Sequence, residues 1–329
     1  MAIKYNNKNF IAIKISSLCD IDVLKIYNSI QIVFNEVENN LKNNKNVQLN
    51  ELNKNLEEIK KKLNNINFSD VSELDLEFLK AKFNSSLGLN IIDILTRNEP
   101  SDFQHLNSLF GLEENVFNYG ILFHTRVDKI LSHAQGKKCS VMMDAEQSYI
   151  QVVIDSVAKF YTFHYNKSFC TVLQTIQCYL KNSNKNAQNF LDFIKRFNLK
   201  LGVKIVRGAY MTEESRLANQ GNYENPIHNS IEDTHKSYDN LIPILLKETS
   251  KCDKVNIALN KIIIASHNED SVELTSKFLN ESNIKSVYSA QLVGISEHIT
   301  ILSQKNVKLF IKDRIYKHAS IFHLVILIL

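Results

Sequence analysis

The sequence predicts an α/β fold, a distorted (β/α)8 TIM-like barrel, on three observations. Apolar runs of strand length recur between longer stretches with helical spacing. From residue 139 onward that alternation is regular. Polar and ionisable side chains collect at the C-terminal ends of the runs. In a parallel barrel those ends open on one mouth.

The first run is FIAIKIS (10–16), read as a strand carrying Lys14. A long helical insert follows, about residues 20–135, in which KNLEEIKKKLNNI (54–66) is the clearest helix. Its Asn-rich neighbourhood, NNLKNNKNVQLNELNKN, reads as compositional bias. Five buried strands are then expected: SVMMDAE (140–146), TVLQTIQCY (171–179), GVKIVRGAY (202–210), KIIIASH (261–267) and SVYSAQL (286–292). Helical patterns follow them, among them NAQNFLDFIKRF, SIEDTHKSYDNLIPILLKE, DSVELTSKFLNE and SEHITILSQ. A last, weak strand is expected at NVKLFI (306–311). A doubly wound sheet is the competing architecture, but the eight glycines form no GxGxxG. Residues 1–310 are thus read as one barrel with its insert, and 311–329 as an atypical apolar tail with an exposed end.

Composition narrows the function classes. The net charge is +4 and the basic residues are scattered among acidic ones, so a nucleic-acid footprint is not expected. Five cysteines without zinc spacing read as buried thiols of a reduced, intracellular protein. No targeting segment is recognised at the start, and no apolar stretch reaches the length of a membrane span.

The strand ends supply the chemistry. They carry Lys14, then Asp144 and Glu146, then Gln177, then Lys204, Arg207 and Tyr210, then His267 and Asn268. No nucleophile–base spacing points to acyl transfer. No HxH or HExxH points to a metal, although Asp144, Glu146 and His267 could contribute to a metal-dependent hydrolase. Cations beside amides suit an anionic substrate and a phosphate-bearing cofactor.

VMMDAEQSYIQ (141–151), IQCYLK (176–181), GVKIVRGAYM (202–211), ASHNEDSV (265–272) and AQLVGI (290–295) resemble the signatures of the proline dehydrogenase family, in order. AIKISSL (12–18) resembles its lysine strand, and YENPIHNSIEDTHKSYDNLI (223–242) the segment after its RGAYM motif. The resemblance implies FAD as cofactor and L-proline as substrate, oxidised to Δ1-pyrroline-5-carboxylate by hydride transfer to the flavin. It implies a quinone as the next electron acceptor, a mitochondrial location and peripheral association with the inner membrane. Lys14 matches the position that binds the substrate carboxylate, and Asp144 the acid that organises the cationic pocket. Tyr210 and Leu292 match the walls around the proline ring. Gln177 and Lys204 match contacts to the flavin ring, Arg207, Gly208 and Ala209 the region of the pyrophosphate, and His267 and Asn268 further cofactor contacts. No metal is implied.

The chain departs from the family pattern at its end. After Gly294 it has no Arg-Arg pair, no Pro and no Gly, and Arg314 and Tyr316 do not align with the family's substrate-clamping helix. The expectation is therefore a barrel truncated at its N-terminal strand and its C-terminal helix. The alternative function is a non-catalytic member of the same family.

Overall fold

The computed structural model describes residues 9–44, 47–63, 66–85, 87–250, 260–281, 287–292 and 324–328. The chain divides into two compact units. One comprises residues 1–12, 138–145 and 162–329, and the other 13–137 and 146–161.

The first unit is built on a sheet. Its strands are β1 (Asn9–Ile13), β2 (Cys139–Met143), β3 (Val172–Gln177), β4 (Gly202–Val206), β5 (Lys261–Ala265), β6 (Val287–Leu292) and β7 (Leu324–Ile328). They lie side by side in sequence order. Strands β2 to β6 pair in parallel, in single registers such as Thr175 opposite Lys204 and Lys204 opposite Ile263. A doubly wound sheet would reverse its order at a switch point. Strictly sequential order is the winding of a (β/α)8 barrel, and this sheet forms part of one.

Side-chain alternation gives the sheet its two faces. Val203, Ile205, Ile262, Ile264, Ile176 and Val287 point outward, in a core with Phe190, Tyr238, Leu241 and Leu245 of the helices. Those helices are α8 (Ser183–Arg196) and α10 (Ile231–Ser250), with α11 (Glu269–Glu281) beside α10. The opposite, interior face packs Phe10, Met142, Leu173, Ile263, Tyr288 and Ala290. At the N-terminal edge Asn166 uses both ends of its amide. Its oxygen accepts from Thr171 N and Val172 N at 3.0 and 2.8 Å, and its nitrogen donates to Val172 O and Lys200 O at 2.8 and 3.0 Å. Four backbone groups that the strand starts leave open are thereby satisfied.

The second unit is helical. It holds α1 (Ile21–Asn43), α2 (Leu49–Lys62), α3 (Glu73–Phe83), α4 (Ile91–Arg97), α5 (Pro100–Phe110), α6 (Glu114–Gly136) and most of α7 (Ser148–Tyr165). Leu24, Tyr27, Ile30, Phe34, Val37 and Leu41 of α1 are buried at helical spacing. Ser72 and Asp75 form a capping box on α3, and Asn90 caps α4. Tyr27 donates its hydroxyl to Val116 O at 2.5 Å, joining α1 to α6. Helices α1 to α6 lie between Ile21 and Gly136.

Three sequence expectations need correction. The first strand stops at Ile13, and Lys14 instead caps a short 3-10 turn over Ile15–Ser17. The pull on this turn comes from Glu146, which accepts from Ser16 N at 3.0 Å and Ser16 Oγ at 2.5 Å. Strands β2 and β4 end at Met143 and Val206, so Asp144, Glu146, Arg207 and Tyr210 stand on the loops that follow. The apolar terminus is not wholly a tail, because Leu324–Ile328 pairs antiparallel with β6 as β7. The strand expected at 306–311 and the helix at 296–304 lie outside the described residues. One helix, α9 (Met211–Gly221), was not read from the sequence.

The described cysteines Cys19, Cys139, Cys170 and Cys178 are free thiols. Burial pushes Cys19 and Cys170 up to about 12, so both stay protonated and act as small apolar residues. No described helix is long and apolar enough to cross a membrane.

Candidate active site

The C-terminal ends of β2 to β5 lie side by side on one rim, because the strands are parallel and adjacent. The strands and the loops that follow them supply different groups. Asp144 is the first residue beyond β2, Gln177 the last of β3, and Lys204 the third of β4. Register and alternation put Lys204, Thr175 and Gln177 on the interior face.

Lys204 is nearly buried, with 9% of its side chain exposed, and its ammonium donates to Asp144 Oδ1. A buried ammonium requires such a partner. Asp144 retains 25% exposure, so one face of the pair remains open to a ligand. Gln177 is buried at 4% exposure, two residues further along β3 from the position opposite Lys204.

Arg207 follows β4 and is half-buried. It donates Nε–H to His235 Nδ1 at 2.9 Å, one terminal nitrogen to Ser266 Oγ at 2.7 Å, and the other to Ser271 Oγ at 2.8 Å. Its plane lies over the Tyr238 ring, 4.3 Å from the centroid. A guanidinium has five N–H donors, so two remain beyond these bonds. These bonds tie the end of β4 to α10, to the residue after β5 and to α11.

Gly208 has φ +143° and presses on the Tyr179 ring; a Cβ there would sit 2.0 Å from the ring. Only glycine fits both constraints. Tyr179 N donates to Arg207 O at 2.7 Å, and His228 N to Tyr179 O at 2.9 Å, so the loop through Gly208 and Ala209 is held from the β3 side. Tyr210 is half-buried at the start of α9. His267 and Asn268 are half-buried beyond β5. Asn268 Oδ1 accepts from Ser271 N at 3.0 Å and caps α11. Leu292 ends β6, and its side chain lies outside the described part.

Lys14 belongs to the helical unit, where it is exposed at the head of the 3-10 turn; Ser17 N donates to Lys14 O at 3.1 Å. Glu146, 3% exposed, fixes that turn through Ser16 and is itself held by a bond from its N–H to Gln151 Oε1 at 2.8 Å. Sequence reasoning missed His235, Tyr238, Asp239, Ser266 and Ser271. All five lie in segments whose motifs were noted, but only the fold shows that they surround Arg207. Among the described residues no group of three or more His, Cys, Asp or Glu could hold a metal.

Fold and rim together define a (β/α)-barrel protein with a cationic, amide-lined mouth. The proline dehydrogenase family model matches residues 17–318, and the chain belongs to that family. Proline dehydrogenase 1, mitochondrial, of Dictyostelium discoideum is 39% identical over 184 residues, covering 54% of this chain and 32% of that one. Hydroxyproline dehydrogenase of Xenopus laevis is 33% identical, over 54% of this chain and 38% of its own length. The chain thus spans about a third of the length of these curated relatives. Among solved structures, proline utilization A of Bdellovibrio bacteriovorus aligns at 21% identity and a TM-score of 0.49, over 56% of this chain and 19% of that one.

Proposed function

We propose that this chain is the catalytic barrel of an FAD-dependent enzyme that oxidises L-proline to Δ1-pyrroline-5-carboxylate. The observation that carries the proposal is the buried Lys204–Asp144 pair on the rim next to Gln177, in a chain of the proline dehydrogenase family. The donor set fits a flavin nucleotide: a buried cation and an amide for the ring, a side-chainless backbone at Gly208, and two further N–H groups on Arg207 for phosphate.

In this reading Lys204 and Gln177 hold the flavin ring, and Arg207, Gly208, Ala209, His267 and Asn268 hold the rest of the nucleotide. When bound, FAD supplies the hydride acceptor. Asp144 accepts from the Lys204 ammonium and aims it. Lys14 binds the substrate carboxylate, and Tyr210 and Leu292 wall the ring. The chain's own contribution is orientation and local charge. The names of the relatives also support a mitochondrial location. A quinone is the acceptor that this chemistry asks for next, at the surface of the inner membrane.

The test is to load the purified chain with FAD and add L-proline without oxygen. Loss of the flavin's visible absorbance is expected. Flavin uptake without bleaching would identify a non-catalytic member of the family, and no uptake would end the proposal. Replacing Lys14 by Ala should weaken proline turnover and leave flavin uptake unchanged.

A further inference from the structure

The groups that accept from Arg207 have hydrogen-bond partners of their own. Ser271 Oγ, fully buried, accepts from Arg207 and donates its single hydrogen to Asp239 Oδ1. Asn268 Oδ1 lies 3.0 Å from the same hydroxyl, but a carboxylate is the stronger acceptor for one proton. The result is a chain Asp239–Ser271–Arg207 from α10 through α11 to the end of β4. His235, one turn before Asp239 on α10, takes the Nε–H.

We infer that Asp239, acting through the Ser271 hydroxyl, is a positioning residue that aims Arg207 at an anionic ligand of the mouth. The inference rests on the proposed role of Arg207 toward the flavin nucleotide. Its physical basis is the hydroxyl between the two charges. A carboxylate placed directly on the guanidinium would take the paired N–H groups that a phosphate needs. A hydroxyl takes only one. Its polarisation by Asp239 strengthens the bond it accepts, and so fixes the plane of the arginine while two donors stay available. Stacking on Tyr238 and the bonds to His235 and Ser266 remove the remaining rotations.

The experiment is a double-mutant cycle in FAD affinity, read by titrating the apo chain with FAD, alongside the thermal midpoint of each apo variant. The variants are Asp239→Asn, Arg207→Met and the pair. Arg207→Met should weaken FAD binding by about a hundredfold, and Asp239→Asn by about tenfold with little change in the apo midpoint. The pair should bind about as weakly as Arg207→Met alone, because Asp239 acts only through that arginine. Full additivity would overturn the inference, since Asp239 would then act elsewhere. FAD affinity lost in Arg207→Met but unchanged in Asp239→Asn would also overturn it, leaving the site reading intact. Unchanged affinity in Arg207→Met would remove the site reading and the inference with it. If Asp239→Asn does not fold, Ser271→Ala makes the same test, since it deletes the intermediary hydroxyl.

Discussion

The interior face of the sheet buries two lysines, Lys261 where β5 begins and Lys204 two residues further along in register, and the two are held in different ways. Lys261, at the N-terminal end of β5, is 1% exposed. It donates to Ser140 Oγ at 2.7 Å and lies 5.0 and 4.4 Å from the centroids of the Phe10 and Phe169 rings. Lys204, in the middle of β4, meets the carboxylate of Asp144, which stands beyond the end of β2 and reaches solvent. Burial holds the Lys261 ammonium below the ordinary lysine range. One site therefore closes its charge inside rings and a hydroxyl, while the other leaves a charged pair open at the rim. In a barrel it is the open arrangement at the C-terminal rim that suits chemistry.

The largest test of this contrast is at the rim. Arg207→Ala removes three side-chain hydrogen bonds and the Tyr238 stack, and should cost roughly 3 kcal/mol in urea unfolding. A cost below about 1 kcal/mol would mean the network does not hold the β4, β5 and α11 ends together. Gly208→Ala drives a methyl into the Tyr179 ring at a left-handed backbone position, and a loss of about 2 kcal/mol is expected. An unchanged midpoint there would show that the loop can move away freely. Lys204→Met leaves Asp144 without its ammonium, but the carboxylate can rehydrate, so about 1–2 kcal/mol is expected.

The smallest effect belongs to the closed site and has the opposite sign. Lys261→Met keeps the length and removes the buried charge, and should stabilise by about 1 kcal/mol near neutral pH. The folded-state pKa of Lys261 is lowered relative to the unfolded chain. The wild type is therefore penalised below the folded value, and the penalty fades as pH rises toward the unfolded value of about 10.4. The gap between variant and wild type should narrow over that window. A gap that widens with pH would reverse the assignment.

Much of this contrast was legible in the sequence, and the rest was hidden for identifiable reasons. Strands β2 to β6 announce themselves because both faces are buried and the runs are short and apolar. Lys204 and Asp144 could be nominated from strand-end position alone. Their pairing spans sixty residues and needed the fold. Lys14 was placed inside a strand because Ile15 continues the apolar run, and the contact that ends the strand reaches 130 residues away to Glu146. Helix α9 carried little signal because Glu214 and Ala218 are its buried side chains. The partners of Arg207 lie 28 to 64 residues downstream, on elements whose order along the sheet decides who meets whom. The apolar terminus read as exposed because the pairing of Leu324–Ile328 with β6 leaves no mark in local composition.

The two lysines also provide the most direct measurement: titrate FAD into the wild type, Lys204→Met and Lys261→Met, and compare dissociation constants. Lys204→Met should bind FAD at least about tenfold more weakly, and Lys261→Met should match the wild type. Equal affinities in all three, or a loss confined to Lys261→Met, would contradict the assignment of chemistry to the C-terminal rim.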